Sequence, residues 1–461
     1  MRLYAHDPRS PQSAGTVDGA VLMHREAATL IAASGLPVSW HDLTRGPCGL
    51  ATAGPSDVVY AGSGPYAHLH HAWREETGGG YRIVREVHTA LWSGYWTQEE
   101  LCAPLTRPGD LVLFPTEYTR GLYLRHLPGA RPENSAVVYP LLDLLPPRLP
   151  ARPRPPADRV LRIGYLGALS LAKNFDQVLS VVARCGRRSP VTLLYAGKPN
   201  HPRWEPASIG RELAALGAAP GTARTAGVVG RARLAGFFAD IDVLLFPSTA
   251  SRETLGRVVL ESLTHGVPVL AADAGPAAEL LPARNLVPTL LDTTTAFTMD
   301  RVVPLGRVDE DALVAKLLAR DFAPAGPVDR ARYGTRAFLR ALAGDPPSPG
   351  GPCDPTVRDR LTVSPRPEPS PAPALSRARE VFAAYFTRRD DRALLDAIDS
   401  APDGTDRAAL REIVRRPHRD PSDYRAFPRL VDALVLPPLG YGFGRPPDHD
   451  REDPTDGRST P

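Results

Sequence analysis

Lysine is nearly missing from this chain. Lys173, Lys198 and Lys316 are three among 55 basic residues in 461, so arginine carries almost all the positive charge. A formal net charge of +4 over that length, with no basic block interleaved with aromatics, argues against a nucleic-acid partner. Cysteine is equally scarce. Cys48, Cys102, Cys185 and Cys353 stand too far apart for a zinc spacing or a dense disulfide framework, and a reducing cytoplasm fits them best. No run approaches the roughly 20 apolar residues of a membrane span. The segment Met1 to Asp7 meets charge, then Pro8, before any signal-like apolar core. The expectation is a soluble cytoplasmic protein, with peripheral membrane contact left open. Also missing are a Ser-centred nucleophile elbow and a phosphate-cradling Walker loop. His68-Leu69-His70-His71 has no carboxylate or cysteine partner at a ligand spacing, so no metal is expected.

Proline, by contrast, is abundant, at 51 residues, and it gathers at joints. Pro146, Pro147, Pro150, Pro153, Pro155 and Pro156 crowd one stretch that excludes a helix or central strand. A second Pro-rich stretch runs from 346 to 373. With 43% hydrophobic and 23% charged residues the chain is globular and long enough for more than one core. The expected division is a domain over 1–145, a linker over 146–157, a second domain over 158–345, a linker over 346–373 and a helical extension with a frayed tail over 374–461.

Both main domains repeat one rhythm. Before the first joint, short apolar runs such as Arg2 to His6, Val58 to Ala61, Tyr81 to Val87 and Leu111 to Phe114 alternate with amphipathic stretches such as Gly19 to Ala33. After it, Leu161 to Leu166, Val191 to Ala196, Val243 to Phe246 and Val269 to Ala272 read as buried strands between helical stretches. Strand-helix repetition of this kind predicts α/β domains with doubly wound parallel sheets, whose ligands bind at the carboxyl ends of strands, in a cleft where two such domains face one another. The extension differs: Leu375, Ala378, Phe382, Tyr385 and Phe386, then Leu394, Leu395 and Ile398, then Leu410, Ile413 and Val414 recur at helical spacing and read as core positions.

Chemistry concentrates between Asp242 and Glu279. A buried strand ends at Phe246, a Ser/Thr-rich loop carries Glu253, and a helix begins near Gly256, so its first amides face the strand ends and suit a phosphate. Glu253 and Glu261 can both look into one cleft, and each carboxylate accepts the two hydrogen bonds of a sugar or ribose diol. Taken alone, the pair is better read as a dipole-favoured helix-start Glu and an exposed helical Glu. Pro247-Ser248, Gly256, Gly266 and the strand in register with them favour the site.

This segment resembles the signature of retaining nucleotide-sugar glycosyltransferases of the GT-B fold, the group 1 or family 4-like enzymes. There a strand ending in Pro-Ser is followed by Glu, seven residues, Glu, Gly-x-Pro-Val and a further Gly and Glu. The matching residues are Pro247-Ser248, Glu253, Glu261, Gly266-Val267-Pro268-Val269, Gly275 and Glu279. Upstream, Gly164 to Gly167 and Lys173 are similar to the family's glycine turn and lysine, and Gly227 to its base-contacting loop. The resemblance implies two Rossmann-like domains and a hexosyltransferase-like activity that retains anomeric configuration. It further implies a nucleotide-diphosphate sugar as donor and no metal cofactor. The acceptor is a small molecule, glycan or lipid-linked hydroxyl. In this reading Glu253 and Lys173 are catalytic, Lys173 meeting the diphosphate, while Glu261, Gly256, Leu255, Thr254, Gly167, Gly227 and Ser248 hold the donor. Ala168 departs from the pattern, because the family has an arginine beside the glycine; Arg252 and Arg257 flank the site and can substitute.

The amino-terminal half matches more loosely. Ser13-Ala14-Gly15-Thr16 resembles the family's glycine loop beneath the donor phosphate, with Gly15 as its closest approach, but reads equally as a plain turn. His88, at a strand end, resembles the family's cleft histidine beside the transferred sugar and is in this reading the third catalytic residue, but it reads equally as a satisfied structural histidine. Trp92, Tyr95 and Trp96 suit either an acceptor platform or domain packing. Two other readings stand beside the transferase: a sugar-nucleotide epimerase of the same fold, and a non-catalytic sugar-nucleotide or partner-binding protein.

Overall fold

A computed structural model describes residues 1–6, 19–41, 50–62, 67–89, 98–99, 102–126, 129–145, 147–291, 302–345, 391–401 and 403–415. The loop carrying Gly15, the aromatics Trp92, Tyr95 and Trp96, the 346–373 linker, the pattern from Leu375 to Phe386, and Cys48 and Cys353 lie outside the described residues. The described residues form two compact units, one of those up to 144 with those from 329 on, the other of those between 145 and 328.

In the first unit, six strands make one parallel sheet: β1 (Leu3–His6), β2 (Val38–His41), β3 (Val58–Ala61), β4 (Arg82–Glu86), β5 (Leu111–Phe114) and β6 (Ser135–Val137), in the order β2-β1-β3-β4-β5-β6. Their side chains alternate between two cores. One face buries Leu3, Val58, Val84 and Leu111 against Ala27 and Ile31 of the helix Gly19–Ala33. The other buries Tyr4, Val59 and Ile83 against Leu69 and Trp73 of the helix Ala67–Thr77.

Both faces are completed by residues far along the chain. The helix Thr335–Ala343 buries Ala337, Phe338, Ala341 and Leu342 in the first of these cores, with the Phe338 ring edge-on to Tyr60 at 5.5 Å. Asp143 accepts the Thr335 N–H at 2.7 Å and pairs with Arg330, which fixes this return. The boundary expected at 345 therefore lies at 328. An apolar helical pattern shows that a helix is buried, but not which sheet it covers. The two described C-terminal helices, Arg392–Asp399 and Arg407–Arg415, place Leu394, Ile398, Leu410, Ile413 and Val414 in the second core. These residues, expected to form a separate extension, are part of the first unit.

The second unit holds β7 (Leu161–Leu166), β8 (Val191–Ala196), β9 (Ala223–Thr225), β10 (Val243–Phe246), β11 (Val269–Ala272) and β12 (Leu286–Val287) in the order β12-β11-β10-β7-β8-β9, all parallel. A short antiparallel pair, β13 (Thr289–Leu291) and β14 (Gly306–Val308), adds to it. The chain leaves β7 toward β8 on one side and comes back on the other side as β10, so the order reverses between β7 and β10. The proline-rich segment before β7 is no free spacer. Leu149 and Arg152 donate their N–H groups to Thr264 and Gly266, and the Arg152 guanidinium reaches Ile241 O at 2.9 Å. Proline removed helix and strand as options here, yet left the intervening amides able to dock.

Ile398 is fully buried in a core that includes Tyr4, Val59 and Ile83 of β1, β3 and β4. Ile398→Ala is expected to lower stability by about 2–5 kcal/mol, read as a drop in the urea midpoint of the full chain. A midpoint equal to wild type would show that the C-terminal helices do not stabilise the first unit.

Candidate functional site

The loops after β7 and β10 emerge on either side of the reversal, where adjacent crossovers depart in opposite directions and leave a crevice. After β7 the chain passes Gly167 and exposed Ala168, and then makes a 3₁₀ turn at Leu171–Lys173 whose cap, Ser170 Oγ, accepts the Lys173 N–H at 3.3 Å. Asn174 follows in the left-handed region at φ 53°, which asparagine tolerates better than most residues, and turns the chain into the helix Phe175–Gly186. Its buried Nδ2 shares two N–H bonds among three oxygens, Pro247 O, Thr249 Oγ1 and Gly306 O, each at 3.0 Å. That one amide ties the β7 loop to the β10 loop and to β14.

The β10 loop thereby held carries the acid. Glu253 and Lys173 form an ion pair across the crevice. Glu253 Oε1 also accepts the Gly256 N–H at 3.0 Å, and Ser248 Oγ lies 3.5 Å from Oε2. Burial alone would raise the Glu253 pKa, but the Lys173 charge and these hydrogen bonds outweigh it and hold the carboxyl below its usual range. The group is therefore an anion, seated at the start of the helix Arg257–Thr264.

Gly256 precedes that helix at φ 68°, and a Cβ there would stand 3.1 Å from the Phe246 ring, so only glycine lets the loop turn this tightly into the helix. Thr254 and Leu255 are buried just before it. One helical turn on, Glu261 is 6% exposed and accepts from Arg257 Nε at 2.8 Å. Gly167 and Gly227 follow β7 and β9, with Gly197 between them after β8. Gly197 donates to Gly227 O at 3.0 Å, and a Cβ on it would meet Gly167 O at 1.7 Å, so the three strand ends press together in a way no side chain permits.

The sequence reading missed Asn174 and the Arg257–Glu261 pair. Spacing offered a signal only for the second, since Arg257 and Glu261 are i, i+4 on one helix.

His88 lies in the first unit, just past β4. Its Nε2 is 2.9 Å from Glu86 Oε2, and its ring meets that of His24 edge-on at 4.6 Å. The histidines set aside as ligands sit on the buried helix Ala67–Thr77. His70 Nε2 is 3.2 Å from His41 Nε2, and His71 lies beside Arg74 and Asp110. Arg74 and Asp110 form a buried two-pronged ion pair at 2.7 and 2.8 Å, and Arg85 with Glu99 forms another. Burial drives the His71 pKa down to about 3 against the pull of Asp110, and burial with neighbouring His41 and His71 drives His70 well down too.

The arrangement of strands, glycine turns and acids defines a GT-B fold, and known structures share it. Anabaena Alr3699/HepE with UDP aligns at a TM-score of 0.52, and with UDP and glucose at 0.51, at 18% identity over 74% of this chain and 98% of that one. The apo form of the lipopolysaccharide outer core galactosyltransferase WaaB aligns at 0.50, at 14% identity over 78% and 98%. No curated protein matches the sequence. Residues 160–316 match the family described as "Glycosyl transferases group 1". The match lies within the second unit, which is similar to the group 1 glycosyltransferase domain. No helix among the described residues is long and apolar enough to cross a membrane.

Asn174→Ala leaves Pro247 O without its side-chain donor and is expected to destabilise the chain by about 1–3 kcal/mol, measured by urea unfolding; an unchanged midpoint would exclude the bridging role. Acid provides a second measurement. His70 and His71 are held neutral when folded, whereas unfolded histidine takes a proton near 6.5. Stability is therefore complete above that pH and falls as pH drops toward 3. The slope is about 1.4 kcal/mol per pH unit for each histidine. A flat urea midpoint between pH 7 and pH 5 would contradict it.

Proposed function

We propose that the chain transfers a sugar from a nucleotide-diphosphate donor to an acceptor hydroxyl with retention of configuration, and needs no metal ion at the diphosphate. The observation that carries this reading is the meeting of Lys173 and Glu253 across the strand-order reversal, at the start of the helix that bears Glu261. A diphosphate is drawn to that place by the Lys173 ammonium and by the first-turn amides of the helix.

In the reaction, the bond from the anomeric carbon to the diphosphate oxygen breaks while the acceptor oxygen bonds to the same face of the sugar. The acceptor proton passes to the departing phosphate oxygen. Lys173 and the amides near Gly256 stabilise the negative charge that grows on the leaving group, and they are in position before reaction, which is where electrostatic catalysis gains most. Glu253, already ionised, orients sugar hydroxyls, and Glu261 accepts from the ribose diol. Gly167, Gly227, Ser248, Thr254 and Leu255 supply close backbone and hydroxyl contacts to the donor. Donor entry exchanges the Lys173–Glu253 pair for contacts of each partner with the ligand, so the pair acts as a placeholder that keeps both side chains extended. Assignment of His88 to the sugar follows the family resemblance.

Because the Anabaena HepE structures hold UDP, UDP is the first probe, followed by GDP, ADP and TDP. Calorimetry on the full chain should find binding of one of these, weakened about 10-fold or more in Glu261→Ala, the loss of a charged hydrogen bond. Equal affinity in wild type and variant would remove Glu261 from the ribose. Absence of binding by all four would remove the donor reading.

A further inference from the structure

Three side chains outside the donor loops converge in the interior of the first unit. His24 comes from the helix Gly19–Ala33, Glu86 is the last residue of β4, and His88 stands two residues beyond it. One ligand atom from each lies within 4.8 Å of the other two, and all three side chains are buried.

The contact between Glu86 and His88 is close without being a hydrogen bond. Nε2 and Oε2 are 2.9 Å apart, yet among the described residues neither Glu86 oxygen accepts an aligned N–H or O–H. A carboxylate that is 3% exposed and lacks aligned donors is unfavourable unless a cation stands beside it. Two imidazoles and a carboxylate that bring one ligand atom each within 4.8 Å of the others have the composition and spacing of a ligand set around one ion. Imidazole with carboxylate suits zinc and its neighbours rather than magnesium or calcium, and three protein ligands leave a fourth position for water or a ligand oxygen.

Other histidine groups in this unit lack one part of this arrangement. His41 and His70 approach at 3.2 Å without a carboxylate. His71 is near Asp110, but that carboxylate already accepts two bonds from Arg74 and two backbone N–H groups, from Ile83 and Arg107.

We propose that His24, Glu86 and His88 form a binding site for one divalent transition-metal ion of the zinc type. The site lies wholly in the first unit; a metal-bound His88 replaces the sugar contact that the family resemblance gives it, while the roles of Lys173, Glu253 and Glu261 in the second unit are untouched.

The test uses the full-length chain, stripped with a chelator and dialysed against Zn²⁺ or Co²⁺, with bound metal quantified and the cobalt absorption spectrum recorded. The expected result is one ion per chain with an intense tetrahedral-type cobalt band, and affinity reduced about 10-fold or more in Glu86→Gln and in His24→Ala. Thermal unfolding without metal identifies a variant that has not folded; in that case the near-isosteric Glu86→Gln decides. No uptake of either metal by wild type overturns the proposal. So does uptake that Glu86→Gln leaves unchanged, which would move the ion to the His41–His70 pair.

Discussion

A single buried amide sets the geometry of the loops that carry Lys173 and Glu253. Asn174 spreads two N–H bonds over oxygens of the β10 loop and of β14, and so fixes the separation of two segments that leave the sheet in opposite directions. Lys173 precedes it directly, and Glu253 lies six residues beyond Pro247, whose carbonyl it holds. The ion pair between them needs both loops at one spacing, and the Gly256 turn then delivers the helix with Glu261 at that spacing. Side chains of a long, mobile type thus become well placed because a short, rigid one behind them is tied to both loops.

Much of this was legible in the sequence. The strands β7, β8, β10 and β11 begin and end where their apolar runs do, since strands buried along most of their length carry few polar residues, here only Arg162 and Thr192 besides tyrosine, to blur their limits. Glu253, Gly256 and Glu261 could be placed by spacing because they sit within one loop and one helix. Asn174 could not. Its partners lie 73 to 132 residues away, and an asparagine before a helix reads as an ordinary cap. Glu86 and His24 were hidden for the same reason: strand end and helix are joined in space by a sheet, not by any short motif.

The first unit uses charge differently from the second. Arg74 with Asp110 and Arg85 with Glu99 lie inside it, each with most of its polar atoms satisfied. Pairs of this kind seldom add net stability over apolar residues of the same volume, but removing one partner leaves an uncompensated buried charge. Neutral histidines complete this interior. The second unit instead places the Lys173–Glu253 pair in the loops that follow β7 and β10.

The two units also differ in how they are written along the chain. The second is continuous from 145 to 328, whereas the first begins at residue 1 and closes its two cores only with Phe338 and then Leu394 to Val414. On a ribosome, where chain emerges from the amino end, the six strands of the first sheet appear early with both apolar faces lacking their last covers. The second unit has every residue of its own core in hand while the first still waits. For this protein the half synthesised first is the half that can finish folding last, and its exposed sheet faces must be kept from other chains throughout that interval.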